Sequence, residues 1–221
     1  MKSSFSNLDQ TVVDIEFLLI SVIQGVALAT LASNAVNPIS NLQIEYWMYI
    51  VSAFILVLTF WSQAIIHVLS FIDWPLDLTH NFLYFTASFI EVMAFSHMTN
   101  PMKWFGFMFT FVLISGILYF VDLKLIASRK KKFEQTTSGK ALYGVIFKEQ
   151  KFSLYTFVSL GLIFNFAAFL SIYLYPSIFL GKSYHVFLAT LQTLFGVVIL
   201  INSIGTFRKR AELIKEYKLS Y

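Results

Sequence analysis

Six apolar runs, each about as long as a bilayer is thick, constrain this chain more than any other feature of its sequence. They cover residues 12–31, 47–72, 76–98, 104–126, 152–175 and 184–207. A helix of about 20 residues crosses the roughly 30 Å hydrocarbon core. Only 13% of the residues are charged, whereas soluble domains carry about 25%. We therefore predict an all-α membrane protein, a single domain of six transmembrane helices.

The positions of proline and of the basic residues indicate how the six helices are connected and oriented. Proline interrupts helices, and all four prolines fall between the runs, at Pro38, Pro75, Pro101 and Pro176. If the N-terminus is inside, all of the 16 Lys and Arg residues except Lys103 and Lys182 lie on the inner side. The positive-inside rule then predicts that both termini are cytoplasmic. The expected location is the plasma or inner membrane.

The connection at residues 127–151 is predicted to be a basic cytoplasmic linker. Its cluster from Arg129 to Lys132 is expected to attract anionic membrane lipid. Residues 141–150 are predicted to form a short interfacial helix. The charged tail after Phe207 is expected to continue its helix. Because the basic residues follow the membrane topology, they do not indicate nucleic-acid binding.

Glu91 lies deep in the third run, where a carboxylate needs an explanation. Such a charge costs at least ~2.5–3.5 kcal/mol in a bilayer, so it should be buried against a partner or face water. One interpretation is a structural hydrogen bond to Gln192, Asn165 or His97; the other is a cation or proton site. The buried polar or ion-site residues predicted from the sequence are Asp14, Asn81, Glu91 and Gln192.

Histidine and aspartate are the candidates for metal binding. The topology places His67, Asp77 and His80 on the same side of the membrane, and such residues can bind zinc when three or four converge. Because HExxH or a comparable spacing is absent, interfacial hydrogen bonding is the favoured interpretation. Asp122 is interpreted as solvating the membrane interface. Cysteine, GxSxG and glycine-rich phosphate loops are missing, so the sequence predicts no catalytic residue and no cofactor.

Helix 1 carries two neighbouring stripes that suggest close packing or a pore. A ridge of small residues at i, i+4 spacing is formed by Ser21, Gly25, Ala29 and Ser33. Such ridges allow close helix approach in membranes. The second stripe mixes polar and aliphatic residues: Ser21, Gln24, Leu28 and Leu31. The two stripes favour a helix–helix interface, with a pore-lining or substrate-facing helix as the alternative.

Residues 12–100 resemble the family of lysosomal potassium channels (transmembrane protein 175 type) and their prokaryotic relatives. The matching pattern consists of an early aspartate in helix 1, a serine–aromatic run ending in tryptophan in helix 2, an acidic turn, and an asparagine early in helix 3. It is carried here by Asp14, by Ser52-Ala53-Phe54 with Trp61, and by Asp73 and Asn81. The family's Phe-Ser-Asp signature reads Val12-Val13-Asp14 in this chain. The resemblance implies a homotetramer with helix 1 around a pore that conducts a monovalent cation.

Three functions are therefore expected from the sequence. The first is an oligomeric potassium-like channel whose pore is lined by Ser21, Gln24, Leu28 and Leu31, with a hydrophobic constriction at the leucines. The second is a proton-coupled transporter of small solutes that uses Glu91. The third is a membrane-embedded metal-dependent enzyme that uses His67, His80 and Asp77.

Overall fold

The computed structural model describes the backbone of residues 2–71 and 78–219, and the side chains of residues 11–69, 78–131 and 133–217. Every regular element in these ranges is helical. The longer helices are α1 (Lys2–Ser40), α2 (Trp47–Phe71), α3 (Leu78–Ser96), α4 (Pro101–Ser128), α6 (Thr137–Phe152), α7 (Ser159–Leu174) and α9 (Tyr184–Leu219). Two short helices are α5 (Lys130–Phe133) and α8 (Pro176–Phe179). The all-α prediction is thus confirmed.

Five helical stretches in the described ranges are long and apolar enough to cross a membrane. They are Thr11–Ser40, Ile44–Leu69, Pro101–Ser128, Thr137–Leu174 and Tyr184–Tyr217. These stretches are compatible with a multi-pass membrane protein. The remaining predicted span corresponds to α3, a 19-residue helix that also carries His80, Asn81 and Glu91. The sixth span and the orientation of the termini stay predictions.

Proline marks helix boundaries at two of its four positions. Pro101 and Pro176 each start a helix, where the missing N–H costs nothing. Pro38 instead lies inside α1, so the predicted boundary there is wrong. A proline removes one backbone hydrogen bond and can bend a helix without ending it. Pro75 lies outside the described residues.

The predicted interfacial helix is part of a longer helix. Residues 141–150 belong to α6, which passes through a π-helical segment, Ser153–Val158, directly into α7. A π-helical segment adds a residue to a turn and so changes which side chains face inward. Near its end α6 carries Glu149 and Gln150, and Gln150 is buried. The tail prediction is confirmed as far as the chain is described, because α9 continues to Leu219.

The helices pack as a bundle in which α4 occupies a central place. Helix α4 packs against α3, α6 and α7, while α2 packs against α1 and α9. The core is rich in aromatic side chains, and Tyr49, Phe95, Trp104 and Phe105 are fully buried. A cavity lined by residues of α2, α3, α4, α6, α7 and α9 holds the candidate site.

Candidate functional site

A cavity of about 180 Å³ extends along the inside of the bundle. Ser52 and His67 of α2 both line it. These two residues are 15 positions apart on one helix, so the wall of the cavity extends over about 22 Å along α2. Its middle is mainly apolar and aromatic, with Thr59 and Ser115 among the wall residues Leu56, Phe60, Met108, Phe111, Val112 and Phe157. Polar side chains collect near its two ends.

At one end of the cavity, His67 of α2, His80 of α3 and Asp122 of α4 form what we call the His–Asp cluster. The Nδ1 atom of His80 lies 2.9 Å from Oδ1 of Asp122, and Nδ1 of His67 lies 3.4 Å from Oδ2. The two imidazole rings are stacked, with centroids 4.2 Å apart. One ligand atom from each residue lies within 4.8 Å of the other two.

The His–Asp cluster is enclosed by protein. The side chains of His67 and Asp122 are 11% and 8% exposed, and that of His80 is 10% exposed. Gln150 of α6 points its Nε2 at Oδ2 of Asp122, 3.5 Å away. Arg210 of α9 also lines the cavity, and its Nε donates to Oε2 of Glu149 over 2.6 Å. The positively charged guanidinium of Arg210 therefore lies close to this end of the cavity.

The geometry of the His–Asp cluster suits a zinc ion. Zinc binds imidazole nitrogen and carboxylate oxygen at about 2.0–2.2 Å, so ligands at tetrahedral corners lie about 3.4 Å from one another. The observed distance from Nδ1 of His67 to Oδ2 of Asp122 is 3.4 Å, and the distance from Nδ1 of His80 to Oδ1 is shorter, at 2.9 Å. Among the described residues the cluster offers three ligands, the number that catalytic zinc sites take from the protein.

The structure partly supports and partly corrects the metal-site hypothesis. His67 and His80 do come together. Asp77 lies outside the described residues. The interpretation of Asp122 as a solvated interfacial residue is wrong, since Asp122 is 6% exposed and faces both imidazoles. The missed signal is depth: α3 and α4 are antiparallel neighbours joined by a short turn, so the start of α3 and the end of α4 reach similar levels.

Near the other end of the cavity lies a hydrogen-bonded chain that we call the Gln192 network. Trp104 Nε1 donates to Gln192 Oε1 over 2.7 Å, and Gln192 Nε2 donates to Asn165 Oδ1 over 2.7 Å. Asn165 Nδ2 donates in turn to the carbonyl of Gly161. Three buried polar side chains thus satisfy one another between α4, α7 and α9, and fix how these helices meet. Gln192 is buried as predicted, but it hydrogen-bonds to Trp104 and Asn165 and not to Glu91.

Glu91 is fully buried at the contact between α1 and α3. This burial was predicted, whereas its partner was not: Gln24 Nε2 donates to Glu91 Oε2 over 3.3 Å. His97, another predicted partner, contacts the carbonyl of Met93 in its own helix. The expected bond from Glu91 to Gln192, Asn165 or His97 is therefore wrong, because the rotation of α1 places Gln24 there instead.

The other predicted polar residues of α1 and α3 separate into buried and exposed positions. Asn81 is buried and donates through Nδ2 to Oε1 of Glu16 over 2.8 Å. Asp14 is exposed, so its inclusion among the buried residues is wrong. Residues two apart on a helix point about 200° from one another. Asp14 and Glu16 therefore lie on opposite faces of α1, and it is Glu16 that faces inward.

The predicted pore stripe of α1 straddles two faces of that helix. Ser21 and Leu28 are exposed, whereas Gln24 and Leu31 are buried against neighbouring helices. Gln24 lies about 60° around the helix from Ser21, which is enough to move it from the exposed face to the buried one. All four residues of the small-residue ridge (Ser21, Gly25, Ala29 and Ser33) are exposed in the single chain.

Comparison of the chain with protein-family models, with curated proteins and with solved structures found no match. The resemblance to lysosomal potassium channels stays a prediction. Function must therefore be argued from the His–Asp cluster, the cavity and the buried polar contacts themselves.

Proposed function

We propose that this chain is a membrane-embedded, zinc-dependent hydrolase. The observation that carries the proposal is the convergence of two imidazoles and one carboxylate at the end of a long, apolar-walled cavity. Zinc with an open position activates water as a nucleophile and polarises a carbonyl or phosphoryl oxygen. Asp122 and the two histidines would hold the ion, and Gln150, whose Nε2 lies 3.5 Å from Oδ2 of Asp122, would orient the carboxylate.

The cavity favours an amphiphilic substrate with one long apolar chain. Its apolar middle suits a hydrocarbon chain, since apolar groups gain by leaving water and polar ones do not. The reacting group of such a substrate would lie at the His–Asp cluster. Arg210, which lines the same cavity, supplies positive charge for the developing anion of the transition state or for an anionic headgroup.

The first experiment measures metal. The protein is purified in detergent without chelator and its zinc is quantified per chain by mass spectrometry. We expect about one zinc per chain in the wild type. In His80→Ala and in Asp122→Asn the zinc content should fall to background. His97→Ala is the matched control, because His97 contacts only a backbone carbonyl of its own helix in the hydrogen bonds of the described residues. Equal zinc in the wild type and in Asp122→Asn would contradict the proposal and leave ordinary imidazole–carboxylate hydrogen bonds.

The second experiment measures hydrolysis. p-Nitrophenyl esters of increasing acyl length are offered to the protein in detergent. We expect turnover that rises with chain length, that stops after zinc removal by dipicolinate, and that returns when zinc is added. Turnover that resists dipicolinate and survives in His80→Ala would rule out a zinc-dependent mechanism.

An oligomeric cation channel is the second candidate, favoured by the exposed face of α1. The small-residue ridge and Leu28 are exposed in the single chain. Ridges of small residues let membrane helices approach each other closely. We propose that this face meets further copies of the chain, a tetramer if the family resemblance holds. Potassium flux into proteoliposomes tests it. Leu28→Asn should raise the flux by wetting the constriction, and an unchanged flux would remove α1 from the pore.

The membrane arrangement forms part of both candidates. We propose six spans, with α3 as the third, cytoplasmic termini, and the plasma or inner membrane as the location. In this orientation the His–Asp cluster lies toward the cytoplasmic side. Cysteine introduced after Tyr217 should be labelled by an impermeant maleimide only after the cells are opened. Labelling of intact cells would reverse the orientation.

A further inference from the structure

A second polar site lies between α1 and α3 and involves no residue of the His–Asp cluster. We call Gln24, Tyr84, Ser88 and Glu91 the Glu91 cluster. All four residues are more than nine-tenths buried, at 5%, 7%, 4% and 0% exposure. Each contributes one buried oxygen that reaches no hydrogen-bond partner: Oε1 of Gln24, Oη of Tyr84, Oγ of Ser88 and Oε1 of Glu91.

The residues of the Glu91 cluster lie along one contact between α1 and α3. Tyr84, Ser88 and Glu91 are spaced i, i+4, i+7 on α3, so they line one face over two turns. Gln24 reaches that face from α1 and donates to the second carboxylate oxygen over 3.3 Å. The phenol of Tyr84 lies close to both Gln24 and Glu91. The unpartnered oxygens therefore belong to side chains on one face of α3 and to Gln24 of α1, which contacts that face.

An unfilled set of buried oxygens is unfavourable, and its composition indicates what would fill it. A carboxylate, an amide carbonyl and two hydroxyls are the ligands of hard cations, with no nitrogen or sulfur for a transition metal. Glu91 carries the single formal charge of the cluster. One positive charge neutralises it, whereas a divalent ion would leave an unbalanced charge in an apolar setting.

We propose that the Glu91 cluster binds a monovalent metal cation, sodium. Water alone would satisfy the oxygens but leave the carboxylate charge buried. A proton alone would neutralise the carboxylate but would not bridge the oxygens of α1 and α3. A sodium ion does both at once, and it links α1 to α3. The proposal does not depend on the zinc site or on the hydrolase assignment.

The test is thermal unfolding of the full chain in detergent, compared in sodium chloride and in choline chloride at equal ionic strength. A ligand that binds only the folded state raises the midpoint with concentration. We expect a rise of about 5–10 °C at sodium well above its dissociation constant. Glu91→Gln should abolish the sodium-dependent rise. Glu16→Gln should keep the sodium-dependent rise. Glu16 of α1 is a buried carboxylate like Glu91, but it pairs with Asn81.

Direct binding guards against a variant that fails to fold. Radioactive sodium should bind the wild type saturably, at one ion per chain, and Ser88→Ala should weaken that binding without removing zinc. Equal midpoints in sodium and choline, with no saturable sodium binding, would overturn the proposal. Midpoints that follow pH alone, equally in both salts, would assign a proton to Glu91 instead and overturn it as well.

Discussion

The His–Asp cluster and the Glu91 cluster are both built around one buried carboxylate, yet they differ in what surrounds it. Each oxygen of Asp122 faces an imidazole nitrogen. One oxygen of Glu91 accepts from an amide, and the other reaches no partner. The first set mixes nitrogen and oxygen and opens onto a cavity, whereas the second is made of oxygens between two helices. The neighbours of the two carboxylates therefore favour different ions.

The largest expected effect separates the two clusters chemically. Asp122→Asn keeps the shape of the side chain but removes the charge that zinc requires. We expect zinc at background level and at least about a 100-fold loss of ester hydrolysis, in line with loss of a metal ligand or its support. Elemental analysis and the hydrolysis assay measure both effects. Sodium-dependent stabilisation should persist, and its loss would show that the clusters act as one site.

A smaller effect is expected when the apolar middle of the cavity is narrowed. Leu56→Trp adds bulk to a wall residue of the cavity, far along α2 from His67. Turnover of long-chain esters should fall by about 10-fold while that of short-chain esters changes little, because a lost hydrocarbon contact costs about 1–3 kcal/mol. The ratio of kcat/KM between long and short esters measures this. An equal loss for both lengths would move the substrate out of the cavity.

The Glu91 cluster should respond to the loss of its amide. Gln24→Leu removes the donor to Oε2 of Glu91 and leaves a buried carboxylate oxygen unpaired. We expect destabilisation by about 1–3 kcal/mol, read from unfolding in denaturant, with zinc content unchanged. Gln24→Glu is the companion variant, since a second carboxylate should increase the dependence on cations. A Gln24→Leu protein as stable as the wild type would remove Gln24 from the cluster.

The smallest effect comes from a matched pair of serines. Ser88 and Ser115 both carry a buried hydroxyl without a hydrogen-bond partner, but Ser115 lines the cavity. Ser115→Ala should change the free energy of unfolding by about 0.5 kcal/mol or less, in sodium and in choline alike. Ser88→Ala should be destabilising in sodium only. Identical behaviour of the two variants would show that an unpartnered serine here has no connection with an ion.

Much of the fold follows from local pattern, and the exceptions have physical causes. The apolar runs correspond to helices because long apolar segments must satisfy their own backbone. The ends of α1 and α6 do not follow from local pattern, since Pro38 lies inside α1 and a π-helical segment joins α6 to α7. The burial of Glu91 was predictable from its depth in an apolar run, and so was the pairing of His67 with His80 from their shared level.

By itself, the sequence determined that this chain forms long apolar helices, that Glu91 is buried, and that two histidines lie at one level. Only the tertiary structure decided that Asp122 completes the pair of histidines and that Gln24 meets Glu91. The reason is geometric. Local pattern determines how far along a helix a side chain lies, but a contact between helices also depends on how each helix is rotated about its axis. That rotation is set by the packing of the whole bundle.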